Sequence, residues 1–449
     1  MTDQIRNQLV DELNHPVRAM RSVAARTLGD ALRAGVLSAP PLTAEVNNHV
    51  HTCYSFSPYT PTAAAWHARQ AGLMAVGVMD HDSIAGAEEM LEAGAALGIA
   101  TTAGCEIRVR FADTPFSDRL INGPGLTGIA YMAIHGIPRH AIPSCAEFLR
   151  PLQEARNRRN RAMVDRLNIQ LTAQGIPALN FDSDVYARSC AAEGGSITER
   201  HILAALSLRF MDLHQPGPAL VEWLEGLLAI TLPGSVRGYL LDAANPHYMY
   251  DLLGLLKAYY TDTFFIHPDG EECVDVREAV AFAESIGAIP AYAYLGDVSE
   301  SPTGDKKAEH FEDSFLDELM EWLKRLGFRA ITYMPPRNTV EQLARISDLC
   351  NLHGFMQISG VDINSSRQRF NCPEILDPRF ERLITATWAL IGHEKLSSVW
   401  TGRGMFSRYT ERQIPVLEDR LAAYARIGRM LNVAEPFAIP AAVPTILAS

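Results

Sequence analysis

An α/β barrel is the fold this sequence predicts, on three observations. From Glu45 onward, short apolar runs alternate with amphipathic helical stretches as far as Ile363, which implies a parallel sheet with crossover helices. Charged and polar residues stand at so many of the strand ends that the sheet reads as closed, with a site at its C-terminal mouth. Hydrophobic residues at 47% and charged residues at 20% of 449 suit a globular chain with a large core.

The elements follow in order. Residues 4–35 carry helical periodicity interrupted at Pro16 and ending near Gly35. With the proline-rich linker Ser38–Leu42 they form a helical N-terminal extension, residues 1–44, read as a packing or homo-oligomerisation appendage. The barrel occupies residues 45–375. Its predicted strands are Val46–His51, Leu73–Asp80, Ile99–Phe111, Gly128–Ile137, Thr263–His267, Ala288–Leu295, Arg329–Met334 and Phe355–Ile363. Helices are expected over Thr62–Ala71 and Ile84–Leu97, along a long basic stretch near 145–174, and near 275–286, 311–326 and 339–352. Residues 202–260 read as a helical insertion, and residues 376–449 as a C-terminal segment of two or three helices.

Composition excludes several classes. No apolar run is long enough to span a membrane, and the N-terminus lacks the apolar core of a signal peptide. Seven scattered cysteines form no CxxC pair, so neither a disulfide framework nor a thiolate zinc site is expected, and the cytoplasm is the expected compartment. A formal charge of −12 argues against general nucleic-acid binding, yet permits a small phosphorylated substrate held by local arginines. Nucleophile elbow, P-loop and dinucleotide-binding glycine motifs are absent.

Chemistry concentrates at the strand ends. His49 and His51, two apart on a strand, point to one face. The next strand ends in Asp80-His81-Asp82, and the third carries Glu106 within an apolar run, where a buried carboxylate calls for a cation. A late strand ends at Asp362. Four strand ends bearing His, Asp or Glu predict a metal site.

The segments NNHVHTCYS, VMDHDS, AGCEI, GSITERHILAAL, AIPAYAYLGD and ISGVDIN, in that order, resemble the PHP (polymerase and histidinol phosphatase) superfamily, particularly its bacterial phosphoesterase branch. The resemblance implies a distorted (β/α)7 TIM-like barrel binding up to three metals: zinc, manganese or iron. It implies a first metal held by His49, His51, Glu106 and Asp362, all present. Further metals would need ligands that this chain replaces. Phe56 and Ser57 stand where an acid or histidine would follow the HxH pair, Tyr294 stands in the LAHPG-like segment, and Asn364 at the terminal histidine. The middle histidine falls at Tyr131 or at nearby His135. His81, Asp80, His135 and His267 are the remaining candidate ligands, and tyrosine and asparagine are poor substitutes for them on zinc.

For the substrate phosphate, the resemblance points to Arg200 and His201 and to an arginine of the basic run, Arg159, whose planar fork suits phosphate oxygens. Arg337, Lys306 and Lys307 follow strands at the mouth and are further candidate contacts. The expected activity is metal-dependent phosphoester hydrolysis; the resemblance implies that Asp362 takes a proton from the water, and His81 would serve a second metal or the leaving oxygen. Two alternatives stand beside it: diverged chemistry with Tyr294 as acid or base, and a non-catalytic metal- or ligand-binding scaffold.

Overall fold

The structure is a computed structural model, and it describes residues 1–449 except 124, 227, 299–309 and 448–449. Eight strands form one sheet: β1 (Val46–Val50), β2 (Ala75–His81), β3 (Ala100–Arg110), β4 (Ile129–His135), β5 (Val274–Asp275), β6 (Ile289–Ala293), β7 (Ala330–Tyr333) and β8 (Met356–Ser359). The order is β1-β2-β3-β4-β6-β7-β8, and β5 pairs the end of β3. Beyond β8 the chain bridges back to β1. Ile363 N donates to His49 O (3.2 Å) and His51 N to Ile363 O (2.9 Å), so seven strands make a nearly closed barrel.

One strand breaks the expected parallel order. β4 is antiparallel to both β3 and β6. Among the described residues no crossover helix separates Arg110 from Ile129, only turns around an antiparallel Leu120–Thr127 bridge, so the chain doubles back as a hairpin must. The expected strand Thr263–His267 is absent. Helix Tyr248–Phe264 runs through its start, burying Phe264, and the strand after it is Val274–Asp275.

Two hydrophobic cores result. The first fills the barrel walls and flanks and includes Leu13, Ala24, Ala25 and Leu28 of the N-terminal helices Asp3–Glu12 and Arg18–Arg33 and the turn between them. A buried Arg21–Glu89 pair (2.8 and 2.5 Å) clamps these helices to the barrel helix Ala87–Leu97. The second core lies among helices Glu199–Leu213, Pro218–Gly226, Gly234–Leu241 and Tyr248–Phe264.

Helix Ile142–Ala173 joins the two. Cys145, Leu149 and Leu152 belong to the first core; Met163, Val164, Leu167 and Leu171 belong to the second. At the closed end of the barrel, helix Glu381–Val399 is buried along most of its length. Its Glu394 accepts from Ala103 N (2.7 Å) and Lys395 donates to Thr101 O (2.9 Å), which plugs the end opposite the mouth.

Candidate metal centre

The two-residue period of β1 and its extension puts His49 and His51 on one face, their rings 5.1 Å apart. The β2–β3 register sets His81 beside Glu106. Donor atoms of His49, His51 and Glu106, all three buried, lie within 4.8 Å of one another. Asp362 reaches them because the chain after β8 runs tightly along β1. A Cβ on Gly360 would come 2.5 Å from the His49 Cβ, so only glycine allows this approach. The Asn47 amide clasps the same segment, accepting from Val361 N (2.9 Å) and donating to Val361 O (3.0 Å).

The electrostatics prepare this cluster for a cation. Burial, with His81 beside it, holds His51 down to about 3, so its imidazole is neutral at physiological pH. Burial opposes ionisation of Glu106, but His49 and the His81 hydrogen bond outweigh it and hold the carboxyl down to about 2. His81 Nδ1 lies 3.0 Å from Glu106 Oε2; burial works against its protonation, and Glu106 prevails, raising it above the ordinary imidazole value. His51 Nδ1 is held by Ser55 Oγ (3.2 Å), while the buried Nε2 makes no hydrogen bond among the described residues. Asp362 Oδ1 stands 3.3 Å from that nitrogen. A neutral imidazole with an orphaned nitrogen, a second imidazole and two carboxylates fit a divalent metal.

Next to this set a small polar cavity of about 40 Å³ opens, lined by His51, Ser55, Phe56, His81, Arg108, Tyr131, Arg156, Thr198, Glu199, Arg200 and Asn364. That is room for roughly three waters or one compact oxyanion. Phe56 closes one side in a left-handed conformation (φ 89°). Its ring packs edge-on against His201 (5.0 Å) and beneath the Arg200 guanidinium (5.6 Å). Arg200 donates to Asn364 O (3.4 Å), and its buried Nε has no hydrogen-bond partner among the described residues.

Several predicted residues sit elsewhere. Asp80 turns its oxygens to Thr52 N (2.7 Å), Thr52 Oγ1 (2.6 Å) and Ser55 Oγ (2.6 Å), anchoring the loop after β1. His135 faces inward but toward the closed end, because β4 runs backwards; burial and nearby His49 hold it down to about 3. His267 is exposed, beyond the end of helix Tyr248–Phe264, its ring against Phe265.

Tyr294 does not reach the cavity. Ala133 pairs with both Glu106 and Ala291, so Ala291 and Ala293 face inward and the alternate tyrosines face away. The Tyr294 hydroxyl donates to Asp313 Oδ1 (2.6 Å). Arg159 is bound to Glu272 (2.5 and 2.7 Å) and to Ile266 O (2.9 Å), all away from the cavity. His201 Nδ1 accepts from Thr198 N (3.0 Å) as part of a helix N-terminal capping box, and burial holds it down to about 4. Arg337 Nε donates to Leu295 O (3.2 Å). Lys306 and Lys307 lie outside the described residues.

The cavity residues not anticipated are Arg108, Arg156, Ser55, Thr198 and Glu199, with Glu272 beneath them. Glu272 accepts from Arg108 (2.7 Å), Arg156 (3.1 Å) and Arg159, and these cations overcome burial to hold it down to about 2. Arg156 also contacts Asp82. Arg108 was legible: it follows Glu106 by two on a strand and must share its face.

A barrel with convergent imidazoles and carboxylates at its mouth defines a metal-binding α/β protein. The PHP domain family profile matches residues 47–325, and the chain belongs to that family. Two solved structures are similar at low identity. One, from Bifidobacterium adolescentis, is described as a candidate metal-dependent phosphoesterase, with 19% identity, TM-score 0.45, and coverage of 76% of this chain and 96% of that one. The other, an amidohydrolase from Chromobacterium violaceum with bound sulfate and no metal, shows 17% identity, TM-score 0.47 and the same coverage. None of the curated proteins matches the chain.

Proposed function

We propose that this chain is a metal-dependent hydrolase of small phosphomonoesters. The observation that carries this reading is the buried, neutral His51, whose orphaned Nε2 converges with His49, Glu106 and Asp362 beside a polar cavity. His49, His51, Glu106 and Asp362 would hold the cation. When bound, a divalent cation supplies Lewis acidity toward a phosphoryl oxygen.

The chain's own residues do the rest. Arg200, a cavity guanidinium whose Nε has no hydrogen-bond partner among the described residues, binds the phosphate. The Asp362 carboxylate accepts a proton from the attacking water. His81, whose protonated form the neighbouring Glu106 carboxylate favours, returns one to the leaving oxygen. Phe56 and the helices behind it limit water access. The Tyr294 hydroxyl donates to Asp313 and does not line the cavity, which favours the phosphoester reading over the alternative with Tyr294 as acid or base.

The test is a panel of phosphomonoesters, phosphodiesters and amides offered to protein reconstituted with zinc, manganese or iron. Turnover of phosphomonoesters that chelation abolishes is the expected result. Turnover of amides alone would refute the reading.

A further inference from the structure

Arg108 on β3 and Tyr131 on β4 are register partners, side by side on the inward face above Glu106. Arg108 donates from Nη1 to the buried Glu272 (2.7 Å), and from Nε (3.2 Å) and Nη2 (3.0 Å) to the Tyr131 hydroxyl oxygen. A phenol oxygen has two acceptor positions and one proton to give. Both acceptor positions are filled by one guanidinium, so only the proton remains. No acceptor takes it among the described residues, and Tyr131 lines the same cavity as His51, His81 and Arg200.

This arrangement also decides what Tyr131 is not. With its lone pairs engaged by a cation, the oxygen has little to offer a metal. Burial pushes the phenol up, against the opposing pull of Arg108, so at neutral pH it keeps its proton.

We propose that Tyr131 is the cavity's hydroxyl donor to a non-bridging oxygen of a phosphomonoester, or of the phosphate released from it, and that Arg108 is the positioning residue that aims it. The proposal rests on the phosphoester reading above. It adds a neutral donor to the Arg200 cation, a pairing suited to a tetrahedral oxyanion whose charge is spread over several oxygens.

Inorganic phosphate is the probe, titrated calorimetrically into the metal-loaded full chain. Tyr131→Phe keeps the ring that packs near His81 (5.6 Å) and deletes only the hydroxyl. The expected result is phosphate binding weakened about 10- to 100-fold, with metal content and melting temperature as in the parent. Equal phosphate affinity in parent and variant would overturn the assignment of Tyr131 alone, leaving the phosphoester reading in place. Loss of metal in the variant would also overturn it, by making the oxygen a ligand. A parent that binds no phosphate and hydrolyses no phosphoester would overturn both readings.

Discussion

Asp80 and Glu106 are buried carboxylates on neighbouring strands at the barrel mouth, and their partners give them different tasks. Glu106 meets imidazoles; Asp80 meets two hydroxyls and a backbone amide of the Thr52–Ser55 loop. Ser55 in turn orients His51 through Nδ1, so Asp80 acts on the metal set through a relay. Asp80→Ala is therefore expected to weaken metal affinity about 10- to 100-fold, as loss of such supporting contacts does, without abolishing binding at saturation. A competition titration with a chromophoric chelator measures this; an unchanged affinity would break the relay. At this scale the sequence was legible where the two-residue period applies. His49, His51, Glu106 and Arg108 share a face for that reason. Tyr294 faces away because the β4–β6 register turns Ala291 and Ala293 inward, and that register is set by pairing between segments distant in sequence.

Helix Ile142–Ala173 carries the most at the scale of elements. Its two ends serve different cores, and Arg156 and Arg159, three apart on one face, sit at the seam. A run of arginines on a helix ordinarily reads as a solvated face, or as a phosphate contact. Here both point inward to Glu272, whose place in the chain 113 residues beyond Arg159 gives no local signal. One carboxylate thus gathers three guanidiniums and fixes Arg108, which fixes Tyr131. Removing it leaves buried cations without their counter-charge. Glu272→Ala is expected to destabilise the fold by about 3–5 kcal/mol, read as a lower urea midpoint with an unchanged slope. A shift within error would show the cluster to be incidental. The misread strand at Thr263–His267 belongs here too. Its aromatic, β-branched composition favours a strand locally, but burial of Phe264 in the second core extends the helix through Thr263 and Phe264, and Phe265–His267 follow without regular structure.

Across the whole molecule, strand–helix alternation was readable because each repeat is a local pattern, and it led to a barrel. The reversed β4, the second core and the C-terminal plug depend on contacts between distant segments. No described helix is long and apolar enough to cross a membrane. What the architecture achieves is convergence: β1, the mouth-side half of β3, and the segment after β8 each deliver one or two donors to a space a few ångströms wide. The most direct measurement is the metal content of the purified full chain, by plasma mass spectrometry, compared with that of the His49→Ala/His51→Ala double variant. The structure predicts bound metal in the parent and loss of at least one equivalent in the variant, together with loss of any phosphoesterase activity. A folded double variant with unchanged metal content would contradict it.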